Sequence, residues 1–303
     1  MGYSPGLQNS YDNIKYDNLS REQDARLRVS ESDEVEMSNL DIVYASNIYD
    51  LKNIFSLVYE SYLKRGLVPY EKDHGMLFSV YSLLPGTVHA VASHHQKAVS
   101  NLTGIQSSEE FGLPMDALYR HELDMLRDRG RNIVEISSLA TSCRYRSRKI
   151  FLYQIQAIYW YCLHNGVDDI CIMVHPRHKK YYTKLFPFEE FGPERYYSKV
   201  DAPAVGLRAN VYRSLQYMME ICNRLPSKIP LYDYIYKLTS NTYKRYKDYR
   251  QSDSLQLMLL HNNLSGKTVK HFLNLEPGII KGLSNVQLSF LQKVYPDLAL
   301  EYS

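Results

Sequence analysis

Apolar side chains recur along this chain with two different periods, and the switches between them mark its elements. Residues 41–45 alternate and predict a strand. Asn47 then predicts a helix N-cap, with Asp50 three positions on. Leu51, Ile54, Phe55, Val58, Tyr59, Tyr62 and Leu63 form one helical stripe, which Gly66 stops. Residues 67–86 read as irregular and close on Pro85-Gly86. Strands are expected at 88–93 and 98–105, turning at His95-Gln96. Pro114 opens a helix whose apolar face is Met115, Leu118, Tyr119, Leu123 and Leu126, closed by Gly130.

The centre of the pattern is a strand over 133–140. Ile133, Glu135, Ser137 and Leu139 are expected on one face, and Val134, Ile136, Ser138 and Ala140 on the other. A basic turn follows, with Arg144, Arg146, Arg148 and Lys149, and then a helix. Its apolar positions are Phe151, Leu152, Ile155, Ile158, Tyr159 and Cys162, and Asn165-Gly166 ends it. Residues 169–174 form a continuous apolar run of the kind buried on both faces of a sheet. A short helix is expected at 178–184, and a last hairpin joins 196–200 to 205–211 around Ala202-Pro203.

From residue 213 onward strand signals stop. Leu231, Tyr234, Ile235 and Leu238 mark one helix. Ser284 and Gln287 form the capping box of another, which Pro296 ends. Residues 1–39 are polar, with an acidic stretch over 31–36, and are expected to be disordered or loosely docked. The reading therefore divides the chain into 1–39, an α/β domain over 40–212 and a helical appendage over 213–303.

Composition narrows the class. Of 303 residues, 45% are hydrophobic and 23% charged, enough for a packed core. The net charge of +3 argues against a strongly basic nucleic-acid binder but allows a local basic patch. None of the four cysteines, Cys143, Cys162, Cys171 and Cys222, has CxxC spacing, so free thiols and a cytoplasmic location are expected. There is no run of about 18 apolar residues, and no membrane span is expected. His175 and His178 lack a third ligand and have Pro176 between them, so no metal is expected. Gly266-Lys267-Thr268 follows no strand and is not a phosphate loop. The run over 243–250 reads as an exposed helix face rather than a nucleic-acid contact.

Candidate chemistry sits at the central strand. A strand, a cationic turn and a helix N-terminus make a site for a phosphate. Upstream of it, Glu135 is the lone carboxylate in an apolar strand, which is costly unless paired or functional.

The order strand, helix, hairpin, helix, central strand, basic turn, helix, strand, short helix, hairpin resembles the GNAT acyltransferases. The resemblance is carried by Leu84-Pro85-Gly86-Thr87, Gly112-Leu113-Pro114-Met115-Asp116, Glu135-Ile136-Ser137-Ser138-Leu139-Ala140, and His175-Pro176-Arg177-His178 followed by Tyr182 and Phe188. Together these span roughly residues 40–212. Within the superfamily the chain is most similar to long-chain N-acyl amino acid synthases of the FeeM type, which are related to acyl-homoserine-lactone synthases.

The resemblance implies a mixed, mostly antiparallel sheet flanked by helices. It implies transfer of a fatty acyl group from acyl carrier protein phosphopantetheine to the amino group of a free amino acid, with no permanently bound cofactor. The arm would enter between the strands at 133–140 and 169–174. Glu135 would be the base that deprotonates the amine, and Tyr182 the acid for the leaving thiolate. Leu139, Thr141, Arg144, Arg146, Arg148 and Lys149 would bind the arm or its carrier. Lys149 and Phe151 stand where GNAT enzymes carry the glycines that let backbone approach the coenzyme A pyrophosphate. A single phosphate on an acidic carrier therefore suits this turn better than coenzyme A. A homoserine-lactone synthase, or a degenerate GNAT module that binds acyl groups or a partner, would share the same pattern.

Overall fold

A computed structural model describes residues 40–68, 73–145, 148–216 and 264–298. The alternating segments pair into one sheet of β1 (Leu40–Tyr44), β2 (Thr87–His94), β3 (Lys97–Gln106), β4 (Ile133–Thr141), β5 (Asp169–Val174), β6 (Glu189–Glu190), β7 (Arg195–Tyr197) and β8 (Ala202–Asn210). Their order is β1-β2-β3-β4-β5-β8-β6, with β7 also on β8. Pairing is antiparallel except between β4 and β5. A parallel neighbour requires a crossover, and the helix over Arg148–His164 supplies it. This is the expected mixed α/β fold, a mostly antiparallel sheet flanked by helices.

Among the described residues the helices include α1 (Ile48–Leu63), α2 (Asp116–Arg127), α3 (Arg148–His164), α4 (Lys179–Leu185), α5 (Gly266–Leu275), α6 (Pro277–Lys281) and α7 (Asn285–Val294). Asn47 caps α1 by accepting from the Tyr49 and Asp50 amides at 2.9 and 3.0 Å. Gly66, Gly130 and Gly166 end α1, α2 and α3 with φ of +67°, +67° and +62°, a region in which side chains with Cβ are strained. α3 covers one face of the sheet, where Ile155 and Ile158 pack with Val134, Ile170 and Leu207. The other face is covered by α1 and α2 in two clusters.

Two expectations are corrected. Ala202-Pro203 is not a turn: both residues lie in β8, opposite Tyr197 and Tyr196. The chain reverses at Ser198–Val200 and at Asp201, whose φ of 49° a short polar side chain tolerates. The strict alternation of β4 also fails. Ser138 has φ of 49°, and the β3 register jumps from Asn101↔Ala140 to Thr103↔Ser137. One extra residue in β4 exchanges the faces of everything after it. Leu139 therefore packs with Ile136 against the α3 core, and Ala140 joins the α1 core.

The C-terminal helices belong to the same core. Phe272 of α5 is fully buried, with its ring 5.0 Å from Phe55 and 5.3 Å from Phe78. The Tyr295 hydroxyl donates to the Leu83 carbonyl at 2.6 Å. The expected capping box of Ser284 and Gln287 opens α7. The expected N-terminal segment over 1–39, the helix at Leu231 to Leu238 and the run over 243–250 lie outside the described residues. Phe272→Ala is expected to destabilise the full chain by about 3–5 kcal/mol, the usual cost of emptying an aromatic core position. Urea unfolding checks this. A loss well under about 1 kcal/mol would show that these helices are not part of the cooperative core.

Candidate active site

β4 is paired to β3 on both sides of the bulge, from Val134 to Thr141, but to β5 only from Ile133↔Asp169 to Ile136↔Ile172. β5 continues to Val174 on β8. Beyond Ile136 the two parallel strands have therefore parted. The notch lies between 137–141 on one side and Met173-Val174 on the other. α3 begins at Arg148, just after a turn over Cys143–Tyr145.

On the α1 face the notch adjoins a cavity of about 770 Å³. Its walls include Tyr62 from the end of α1, Tyr81 and Ser82 from the turn at Val80–Leu83, the 108–114 loop, Ser138 of β4, and Tyr197. Gln287 of α7 also lines it, and donates to the Glu110 carbonyl at 3.0 Å. The cavity wall is thus closed by a helix far along the chain.

Glu135 lies beneath this wall, 2% exposed. Its carboxyl accepts from the Met115 amide at 2.8 Å. That amide is delivered by a clamped loop. Gly112 has φ of +61°, the Leu113 amide donates to Asp116 at 2.6 Å, and Arg127 grips both Asp116 oxygens at 2.7 Å. A Cβ at Gly112 would lie 2.5 Å from Asp116 Oδ2, so only glycine fits there. Burial raises the Glu135 pKa to about 8; the Met115 amide opposes this, and the charge of Asp116 adds to it. The phenols of Tyr81 and Tyr197 are raised by burial first, and the Glu135 charge adds to both. These two cavity tyrosines are therefore electrostatic neighbours of Glu135.

Tyr182, the other expected catalytic residue, lies across the sheet. It packs with Leu139 and Val174 against the α3 core and meets Phe188 edge-on at 6.0 Å. Burial, then Tyr181, push its phenol up to about 12. The structure does not gather it with Glu135: the two stand on opposite sides of the sheet. Leu139 shares Tyr182's side rather than Glu135's, because of the bulge at Ser138. Thr141 is half-buried, with its hydroxyl 2.8 Å from that of Ser100. Arg144 is exposed in the turn after β4. Arg146 lies outside the described residues, as do the side chains of Arg148 and Lys149, whose backbones open α3.

Sequence reasoning missed Tyr81, Tyr197, Ser138 and Gln287 as cavity residues. The excess of tyrosine, 28 in the chain, was the only signal for the first two. Among the described residues no cluster of His, Cys, Asp or Glu is placed to hold a metal. No described helix is long and apolar enough to cross a membrane.

The family model of the N-acyl amino acid synthase FeeM matches residues 53–210. The chain belongs to the FeeM family of N-acyl amino acid synthases. It is accordingly an acyltransferase. The matched residues run from within α1 to the end of β8, so they include the notch, Glu135 and most of the cavity wall, but not α5 to α7. Among solved structures, the chain is similar to FeeM, an N-acyl amino acid synthase from uncultured soil microbes, at 21% identity. That likeness covers 56% of this chain and 95% of that one, with a TM-score of 0.49. It is also similar to BjaI, a CoA-dependent acyl-homoserine lactone synthase, at 14% identity over 60% of this chain and 88% of that one, with a TM-score of 0.47. No curated protein sequence matches the chain.

The raised pKa of Glu135 has a direct consequence for stability. Between about pH 4.5 and 8 the folded carboxyl holds a proton that the unfolded one releases. The stability it contributes is thus full below the unfolded pKa and is lost as pH rises through the folded one. Glu135→Gln removes that titration while its amide oxygen still accepts from Met115. The variant is expected to gain on the wild type by up to ~4 kcal/mol between pH 5 and 8. Urea midpoints at the two pH values read this, and a constant difference between the proteins would refute it.

Proposed function

We propose that this chain transfers a long-chain fatty acyl group from the phosphopantetheine of acyl carrier protein to the α-amino group of a free amino acid. The observation that carries the reading is the parting of β4 from β5 beside a cavity with a buried carboxyl under its wall. A pantetheine arm is a flexible chain with two amides. Between the parted strands it finds backbone groups that β5 has left unpaired. The arm brings the thioester to the notch from the α3 side, and the acceptor occupies the cavity on the α1 side.

The amine nitrogen attacks the thioester carbonyl, and its proton passes to Glu135, directly or through a water. Glu135 acts in its ionised form, which grows as pH approaches its pKa of about 8, and a base whose pKa lies near the working pH suits general-base catalysis. The tetrahedral intermediate then collapses, the C–S bond breaks, and the thiolate leaves. Tyr182, on the donor side, returns a proton to it. A thiol with a pKa near 8.5 needs little such help, so Tyr182 contributes less than Glu135. The products are an N-acyl amino acid and the carrier thiol. Arg144, Arg146, Arg148 and Lys149 hold the donor's phosphate and its acidic carrier near the start of α3. The free thiols of Cys143, Cys162 and Cys171 fit a cytoplasmic enzyme.

Mass spectrometry of lipids from cells expressing the protein is expected to reveal acylated amino acids. An acyl lactone in their place would reassign the acceptor. Glu135→Gln is expected to lower turnover by about 10²- to 10⁴-fold at neutral pH with the fold intact. Undiminished activity in that variant would remove Glu135 from the mechanism. The donor is tested separately: kcat/KM is expected to be higher with acyl carrier protein than with coenzyme A carrying the same chain, and the reverse order would overturn the donor assignment.

A further inference from the structure

A row of buried polar side chains crosses the sheet from the cavity's turn to the bulge in β4. His89 of β2 is 4% exposed, Thr103 of β3 is 1%, and Asn101 of β3 is fully buried. His89 Nε2 lies 3.0 Å from the Ser82 carbonyl, so that nitrogen must carry the hydrogen. In a neutral ring Nδ1 is then the acceptor, and burial, which lowers the His89 pKa to about 4, keeps the ring neutral. The Thr103 hydroxyl, 3.1 Å away, donates to Nδ1. Its oxygen in turn accepts from Asn101 Nδ2 at 3.0 Å. The second Nδ2 hydrogen goes to the Ser138 carbonyl at 3.3 Å. Each donor direction follows from the one before it, and both ends of the row, Ser82 and Ser138, line the cavity.

The last contact falls on an unusual peptide. Ser138 is the bulge residue, with φ of 49°. In a trans peptide the N–H points opposite to the carbonyl. Holding the Ser138 carbonyl on Asn101 therefore turns the Leu139 N–H away from Asn101. That N–H has no β5 residue opposite it, because β4–β5 pairing stops at Ile136. A fixed backbone donor beside the reacting carbonyl stabilises the developing oxyanion without reorganising.

We propose that Asn101, oriented by Thr103 and His89, is a positioning residue for acyl transfer: it fixes the Ser138–Leu139 peptide so that its N–H meets the thioester oxygen. The inference rests on the acyl-transfer reading above for its chemistry, and on the hydrogen-bond row alone for its geometry. Asn101 itself touches no reacting atom.

The test compares Thr103→Val, which keeps shape but loses the hydroxyl, with Thr103→Ser, which keeps it, and with Asn101→Ala. Two readouts are taken on the full chain. The first is amide hydrogen exchange in residues 137–141, which needs no substrate. Exchange there is expected to rise about tenfold in Thr103→Val and Asn101→Ala, the scale of one hydrogen bond, and to stay at the wild-type level in Thr103→Ser. The second is turnover of palmitoyl-carrier protein with a mixture of the common amino acids. In Thr103→Val, kcat is expected to fall about tenfold or more with KM for the acceptors within about twofold, because the lost contact acts in the transition state. If Thr103→Val does not fold, Asn101→Ala is read in its place. Unchanged exchange over 137–141 in both Thr103→Val and Asn101→Ala overturns the proposal. So does a loss confined to KM, or a Thr103→Ser variant as impaired as Thr103→Val. If the wild type forms no product with any amino acid, the acyl-transfer reading fails, and the exchange arm still decides whether the row holds the bulge.

Discussion

The structure turns on a conflict at β4. This strand keeps β3 as a partner from Ser100↔Thr141 to Gln106↔Val134, but it shares only four register positions with β5. A strand that stays straight and regular would remain paired on both sides. The extra residue at Ser138 breaks the regularity and increases the local twist, so β4 follows β3 while β5 follows β8. Unpaired backbone polar groups inside a sheet are costly, so such a notch persists where something else satisfies or orders them. Here the bulge is held from the β3 side. Asn101 of β3 donates to the Ser138 carbonyl. Next to it, the Ser100 hydroxyl donates to Gln154 at 2.9 Å, tying β3 to α3.

The same face carries a second costly feature, a buried carboxyl. Removing Glu135 from water favours its neutral form, and one backbone amide only partly offsets this. The loop that supplies the amide is itself over-determined, by Gly112's backbone, by the Asp116–Arg127 pair, and by Gln287 reaching back from α7. A protonated acid at rest that becomes a strong base once ionised is useful where an amine must lose a proton. Tuning of this kind requires that water be kept out, which is the part the loop and α7 play.

The family match ends at residue 210, yet the core does not. Val269, Phe272, Leu273, Leu291 and Leu298 fill the cluster built on α1, and Phe290 meets Phe111 at 5.8 Å on the cavity loop. His74 and Glu276 pair at 3.1 Å across the same contact. The C-terminal helices therefore do more than cover an apolar stripe. They add to the wall of the site, at residues the shared domain does not supply.

Much of the element order was legible because it depends on local chemistry. The Asn47 cap, the glycines ending α1, α2 and α3, the strand at Asp169–Val174 and the Ser284 capping box are each set by a few neighbouring residues. Glu135 was legible for a related reason: a carboxylate among apolar strand residues is conspicuous without any partner in view. What the sequence could not state was which side chains share a face once one residue is inserted. The bulge at Ser138 moves Leu139 away from Glu135, and it arises from β3's register and the Asn101 contact 37 positions away. The cavity, too, joins Tyr62, Tyr81, Tyr197 and Gln287, which no local period relates. Helix caps and strand alternation are short-range and can be read along the chain. A notch between strands, a shifted pKa and a cavity wall are set by contacts across the sheet, and only the folded chain decides them.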